Sequence, residues 1–529
     1  MFLDYYPLSF IQTLLSAACF YAAYYVYWYS TTGATQRRLA ALHDCKTPRK
    51  WRTTSLLLGL DFFYDNYKAL KAHRALEDFA TRFWALGVNT VQISLLGKTF
   101  VSTIEPENLK SVLATDFKSW RLGEEREKVM APFLGEGIFT SDGAAWQHSR
   151  EMLRPNFVRS QVGDCEMFER HVQQLIKAIP GDGGMVDLQP LFLSLSLDVA
   201  TEFLFGQSTN TLSPDGGTAE TKEFARAFDH VMNAWGGQDQ GWEMFVGLMV
   251  GLFLPNWKLK GEYRIVHDYV DGLVERAVVK KGRYEYEKEN SEKRFAFPGG
   301  RYIFLFELLD QTTDKVKIRS ELLNILLAGR DTTAALLSNV WFELSKRPAV
   351  WDKLQREVSS LNGEFPTFEQ LKEMKFLRAI LNESLRLYPI VPENSRMAVV
   401  DTVLPVGGGE DGKSPIFVKN GQMAHWSVYV MHRRKDIYGE DAEEYRPERW
   451  LDGEEGKGLR VGWEYLPFNG GPRICIGQQF ALTEASYITV RLMQEFSAIE
   501  SKDPEPWREK FTIVCTGLGG CKVVLTPRT

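Results

Sequence analysis

A cysteine at a helix N-terminus, with an arginine two residues before it and a glycine two after, is an arrangement able to hold iron. In this chain of 529 residues it occurs in Phe468-Asn469-Gly470-Gly471-Pro472-Arg473-Ile474-Cys475-Ile476-Gly477, ahead of an apolar helical run over 480–496. A ligating cysteine must be a thiolate, and a metal, a helix N-terminus or a cation lowers its pKa. The N–H groups of Ile476, Gly477 and Gln478 would open the helix as unpaired donors at its positive end, and hydrogen bonds to sulfur tune its donor strength. Gly471 and Gly477 leave room for a flat macrocycle, Arg473 would reach a propionate, and Phe468 would keep water from the sulfur. A thiolate of this kind pushes electron density into haem iron and favours O–O cleavage.

A second such stretch, Ala328-Gly329-Arg330-Asp331-Thr332-Thr333, lies in the middle of a long helix expected over 321–346. Glycine in mid-helix costs about 1 kcal/mol relative to alanine. A local rule broken inside a good helix points to function, with a packing glycine as the competing explanation. Asp331 and Thr332 place an acid beside an alcohol, a pair able to pass protons. Trp146 and Arg150 stand four apart, on one face of a helix, as do many ordinary amphipathic pairs. Glu383 and Arg386 pair at i, i+3, a spacing that recurs at Glu151/Arg154, Glu443/Arg446 and Glu505/Arg508 and so selects nothing by itself.

Positioning these groups requires a large core, and 44% hydrophobic with 13% aromatic residues can supply one. A net charge of -5 and a pI near 6.0 argue against nucleic acid as partner. The six cysteines show no paired metal-ligand spacing, and they fit a reducing compartment. Residues 5–29 are apolar and tyrosine-rich with no charge after Asp4, long enough for a membrane anchor. Arg37, Arg38, Lys46, Arg49, Lys50 and Arg52 follow in a basic linker over 30–54, which places the body in the cytosol. A cleaved signal peptide fits less well, because the first residues are acidic and the apolar run is too long.

Alternation over 91–95, a Gly97-Lys98 turn and a run over 99–104 predict a hairpin. Helical periodicity at 107–113, 146–153, 198–205 and 266–280 makes the body mainly α with a smaller β portion. The apolar stretch 242–257 is too short to span a bilayer and reads as a core helix or an interfacial segment. Residues 280–294 read as a solvated charged helix and loop. Residues 405–415 read as a glycine-rich turn or small insertion, and 512–515 with 521–525 as a hairpin.

Phe468, Gly471, Arg473, Cys475, Gly477 and Ala481 at these offsets resemble the haem-binding loop of the cytochrome P450 superfamily, and Ala328-Gly329-x-Asp331-Thr332-Thr333 is similar to its oxygen-activation motif. The resemblance covers nearly the whole chain. It implies the cytochrome P450 fold over 55–529, preceded by a single transmembrane helix, with haem b ligated by Cys475. It also implies a widened turn in the long helix, with Thr332 bonding iron-bound dioxygen and Asp331 relaying protons. Trp146, Arg150 and Arg396 would join Arg473 at the haem propionates. The order of motifs selects Glu383 and Arg386, with Arg449 of Pro447-Glu448-Arg449-Trp450, as a structural ion-pair cluster. Val391, Asn394 and Leu518 would face the substrate. Alanine at 328, where animal fatty-acid ω-hydroxylases often carry glutamate, implies haem held without an ester link.

The phrases 137–143, 148–157 and 467–473 are similar to the fungal microsomal P450 family that hydroxylates n-alkanes and fatty acids at the terminal carbon. This implies a monooxygenase of the endoplasmic reticulum membrane acting on a small hydrophobic substrate and O2. Electrons would come from NADPH through a separate flavoprotein, NADPH-cytochrome P450 reductase, with cytochrome b5 as a further partner. His432, Arg433, Arg434 and Lys435 could dock it, or form a solvated charge cluster. A biosynthetic P450 oxidising a terpenoid or polyketide is the alternative within the fold, and a haem-thiolate isomerase or dehydratase the alternative of another class.

Overall fold

The computed structural model describes residues 6–51, 59–95, 97–158, 163–235, 259–289, 303–453 and 458–528. The expected apolar segment 242–257 lies outside them, as does the charge-dense run beyond residue 289. Eleven of the helices position the site: α1 (Tyr6–Ser30), α2 (Thr32–Leu42), α3 (Glu124–Leu134), α4 (Gly143–Leu153), α5 (Cys165–Ala178), α6 (Leu188–Phe205), α7 (Ala219–Trp235), α8 (Lys260–Glu289), α9 (Lys315–Lys346), α10 (Lys375–Leu387) and α11 (Gln478–Glu495).

Helix α9 is the axis of the molecule. Asp314 caps it, accepting from the N–H groups of Val316 and Lys317 at 2.9 and 3.1 Å, which satisfies donors that a helix start leaves unpaired. Its 32 residues extend about 48 Å at 1.5 Å per residue. It packs against α6, α8, α10 and α11, in a core of Leu, Phe, Ile and Val side chains. The helix is α-helical from end to end. The widened turn expected at 328–333 is therefore absent, and the Thr332 hydroxyl donates to the Ala328 carbonyl at 2.6 Å instead.

The strands are β1 (Arg49–Lys50), β2 (Thr90–Leu95), β3 (Lys98–Thr103), β4 (Trp120–Arg121), β5 (Met185–Asp187), β6 (Glu393–Ala398), β7 (Thr402–Gly408), β8 (Ser414–Val418), β9 (Met423–Ser427), β10 (Phe496–Ser501), β11 (Glu509–Phe511), β12 (Cys515–Gly517) and β13 (Lys522–Pro527). The largest sheet runs β1-β2-β3-β9-β6-β4 and covers a second core around Trp51, Phe79, Phe83 and Trp426. The expected hairpin is β2–β3, with Ile93 opposite Phe100. Strand β6 pairs with β9, setting Asn394 opposite Trp426 and Arg396 opposite Ala424. Residues two apart on a strand share a face, so Asn394 and Arg396 project together.

The C-terminal pairing differs from expectation. The 512–515 and 521–525 segments do not pair with each other: β12 pairs with β11, and β13 lies between β10 and β5. Residues 409–413 form the glycine-rich turn expected within 405–415, and the flanking residues belong to the strands β7 and β8 that it joins. The segment 30–54 carries structure, because α2 is tied to the body by Gln36 on Asp401, the Lys46 N–H donates to the Pro415 carbonyl at 2.8 Å, and Trp51 stacks on Phe79.

Helix α1 projects its described side chains outward, with Leu14, Leu15, Phe20, Tyr21 and Tyr24 more than half exposed. Among the described residues, the helix long and apolar enough to cross a membrane is α6, two-thirds of which is buried in the core.

Candidate functional site

The Cys475 loop is closed by its own backbone. The Cys475 N–H donates to the Phe468 carbonyl at 2.9 Å, and α11 begins directly after Gly477. Burial pushes the Cys475 thiol up, while the Gly477 N–H and the Arg150 guanidinium pull it down. The net direction is upward, and because the Cys475 side chain is itself exposed, a metal bound there would favour the thiolate. No cluster of three His, Cys, Asp or Glu side chains among the described residues is able to hold a metal ion.

The two loop glycines have different reasons. Gly471 has φ +66, and a Cβ there would overlap the Leu113 carbonyl, so it serves the packing of the loop on the turn at 111–115. A Cβ on Gly477 would find only the Phe157 ring, at an ordinary 3.6 Å. No neighbour among the described residues demands glycine at 477.

Four guanidinium groups gather beside this loop, three of them acting on the Asp142 carboxylate. Arg473 donates to Asp142 at 2.6 Å and to the Ser141 carbonyl at 3.1 Å, with its guanidinium 4.3 Å from the Trp146 ring centroid. Arg150 reaches the same ring from its own helix, at 5.9 Å. Arg396 and Arg126 both donate to Asn394 Oδ1, at 3.1 and 3.0 Å. Burial first, then the neighbouring Arg126 and Arg473, lower Arg396 to about 9. Burial, opposed by Asp142 and reinforced by Arg126 and Arg150, lowers Arg473 to about 10. Burial also lowers Arg126, against the pull of Asp142. Buried like charges of this kind are unfavourable without counter-ions, and two propionates would supply them. The residues present therefore fit haem.

Helix α9 presents its motif to the same interior. From Ser320 to Ser345 every residue is buried except Ala328, Gly329 and Thr332, which share one face at i, i+1 and i+4. A Cβ on Gly329 would meet only Ala200, at 3.8 Å, so packing does not explain this glycine. Asp331 lies on the buried side and pairs with Arg330 at 2.9 Å. Burial pushes its carboxyl above the usual range, against the opposing pull of Arg330.

The comparison with known proteins agrees with this geometry. Residues 62–519 match the family Cytochrome P450. The chain belongs to that family. A relative named Cytochrome P450 monooxygenase himC, from Aspergillus japonicus, is 45% identical over 494 residues, covering 93% of this chain and 85% of its own length. Cytochrome P450 monooxygenase fsdH from Fusarium heterosporum is 41% identical over 526 residues, 97% of this chain and 89% of the relative. Cytochrome P450 52A5 from Candida maltosa is 46% identical over 426 residues, 78% and 77% of the two chains. This protein is a cytochrome P450 monooxygenase.

The ion-pair cluster of this P450 is complete. Glu383 accepts from Arg386 at 2.8 and 2.9 Å, from Arg449 at 2.8 Å, and also from the Arg446 N–H and Trp450 Nε1 at 2.9 Å. Arg386 in turn donates to the carbonyls of His432, Ala442 and Glu444. Of the basic run, His432 and Arg433 are buried, and Arg434 is held by Glu105 and Asp436. That leaves Lys435 as its solvated charge, so the run is mostly structural rather than a docking patch.

Among the residues expected at the substrate, Val391 keeps almost half its surface, 45%. Asn394 is engaged with the two arginines. Leu518 is 40% exposed, and its N–H donates to Arg508. The C-terminal contact next to Val391 is made three residues earlier, where the Cys515 N–H donates to the Ile390 carbonyl at 2.9 Å. Arg126 escaped the sequence reading because it sits at no motif offset, and Asp142 was read only as part of the phrase 137–143, without a role.

Proposed function

We propose that this P450 binds haem b through Cys475, with Trp146, Arg150, Arg396 and Arg473 around its propionates, and hydroxylates the terminal carbon of long-chain alkanes or fatty acids. The observation that carries the oxygen chemistry is the single accessible face of α9, Ala328-Gly329-Thr332, in a helix otherwise buried over 320–345. Haem, when bound, supplies the oxidising equivalent that attacks the C–H bond. In the overall reaction substrate, O2, NADPH and a proton give alcohol, water and NADP+. The chain's share is to hold and move protons. The Thr332 hydroxyl, held by the Ala328 carbonyl, stands on the accessible face, and Asp331 behind it can pass a proton forward. The half-exposed Val391 side chain offers apolar surface to a chain substrate, which gains about 0.8 kcal/mol per buried methylene.

The likeness of 137–143, 148–157 and 467–473 to fungal terminal hydroxylases supports the substrate class. It also supports an endoplasmic-reticulum location with α1 as single-pass anchor, the body in the cytosol, and NADPH-cytochrome P450 reductase, assisted by cytochrome b5, as electron source. Relatives named himC and 52A5 stand at 45% and 46% identity, so identity alone does not choose between this substrate and a terpenoid or polyketide. The test is incubation of the full chain with reductase, NADPH and either dodecane or lauric acid, after recording the carbon monoxide difference spectrum. A thiolate-type Soret band and a terminal alcohol are expected. Absence of the band defeats the haem site, and absence of the alcohol with the band present moves the substrate to the biosynthetic class.

A further inference from the structure

Arg330 fills the variable position of the Ala-Gly-x-Asp-Thr motif, and its surroundings are unlike those of a solvated charge. Its side chain is 5% exposed and pairs through Nη1 with Asp331, itself 5% exposed. Through Nη2 it pairs with Asp229 on α7, a carboxylate 48% exposed. Its guanidinium carbon lies 5.5 Å from the ring centroid of Phe228, on the same helix, while Nε is buried with no hydrogen-bond partner among the described residues. One buried cation thus joins an acid of the oxygen motif to a half-exposed acid on a neighbouring helix.

The other charged groups packed around this turn, Glu484 apart, are already committed, among them His230 on α7, which pairs with Glu262 on α8. Helix α6 turns Ala200 towards Gly329. Its Asp198 is held by Thr209, Thr211 and Leu212, and its Glu202 by Arg170 and His171. Asp271 on α8 pairs with Arg319. Helix α11 contributes Glu484, which faces the Thr333 hydroxyl. Asp331 therefore answers to Arg330 and Asp229.

We infer that Arg330 couples the position of α7 to proton transfer at Asp331. With both carboxylates paired, the guanidinium divides its charge between them. When α7 draws Asp229 away, the whole charge falls on Asp331 and the like-charge neighbour is gone, so Asp331 releases its proton more readily. Burial raises the proton affinity of Asp331, Arg330 lowers it and Asp229 raises it again, so the two partners pull in opposite directions. Arg330 is a positioning residue in this scheme. The inference rests on the monooxygenase reading above, in which Asp331 serves the proton path.

The opposite signs provide the test. Full-length, haem-loaded enzyme with purified reductase is assayed on whichever substrate the wild type turns over. The readout is the fraction of NADPH recovered as product rather than hydrogen peroxide, measured as a function of pH. Asp229→Asn is expected to move the half-point of that profile down and Arg330→Gln to move it up, each on the order of one pH unit, a tenfold change in proton concentration. Arg330→Lys returns it towards the wild type, and the solvent deuterium effect on product formation grows in Arg330→Gln.

Shifts of the same sign, or none, in variants with wild-type carbon monoxide spectra overturn the coupling. Should Arg330→Gln lose haem, the half-exposed Asp229→Asn decides alone, and a zero or upward shift overturns the inference. Failure of the monooxygenase reading shows separately, in the wild type, as a missing Soret band or missing NADPH-dependent product.

Discussion

Arg126 on α3 donates to Asn394 Oδ1 on β6 at 3.0 Å. That bond holds two buried guanidinium groups beside each other, since Arg396 donates to the same oxygen, and it costs electrostatic energy until anions arrive. Arg126→Gln should therefore act with opposite sign on the two forms of the protein. Relief of repulsion leaves the haem-free protein equally or more stable. Haem retention falls about 10- to 100-fold, the equivalent of one hydrogen bond to a charged group at about 1.5–3 kcal/mol. Thermal denaturation of the haem-free form and transfer of haem to a scavenging protein measure the two effects.

The roles around this cluster show what the chain makes legible. Cys475, Arg473, Glu383 and Asp331 sit at fixed offsets in motifs, so their neighbourhood follows from local sequence. Arg126 and Asp142 enter from a helix and a loop more than 300 residues away from Cys475, and tertiary packing alone brings them in. Strand existence was readable from alternation, as at β2–β3. Strand partners were not, because β13 has as much apolar pattern facing β10 as it would facing β12. The widened turn failed for a local reason: the Thr332 hydroxyl is satisfied by Ala328, and nothing in the structure pulls that carbonyl away.

Glu383 gives a stability prediction with a sign. Burial pushes its carboxyl up, but Arg386 and Arg449 outweigh that, so it stays below the usual carboxylate range in the folded state. A carboxyl depressed on folding stabilises the protein above its unfolded pKa, and that stability is lost as pH falls through the folded value. Glu383→Gln leaves two buried guanidinium groups short of a counter-charge, at a cost of about 3–5 kcal/mol. A fall in melting temperature at neutral pH, together with a weaker acid dependence than the wild type, is the expected outcome of calorimetry.

Glu484 behaves in the opposite sense. It is 1% exposed, its Oε1 has no partner among the described residues, and burial pushes its pKa up to about 8. The folded state keeps a proton that the unfolded chain releases, so stability falls as pH rises from the ordinary carboxylate range to about 8 and then levels. Glu484→Gln removes this loss while keeping the shape. The variant should be more stable than the wild type at alkaline pH, by an amount on the order of a few kcal/mol and seen as a higher melting temperature, and show no advantage in acid. Melting curves at two pH values suffice; equal gains at both would contradict a titrating Glu484.

Gly471 and Gly477 separate loop packing from cofactor approach. Alanine at 471 must adopt φ +66 and push its methyl group into the Leu113 carbonyl. Gly471→Ala should therefore damage the protein with or without haem, lowering the melting temperature of both forms and the yield of folded chain. Alanine at 477 has φ -88 available and only the Phe157 ring at 3.6 Å, so the haem-free protein should melt as the wild type does. If Gly477 serves the approach of a macrocycle to Cys475, two residues away, the added methyl group would obstruct it. Haem titration followed by absorbance should then show weaker binding or a shifted Soret band for Gly477→Ala. An unchanged titration would assign Gly477 to the chain turn alone, and place the approach of haem on the other residues around Cys475.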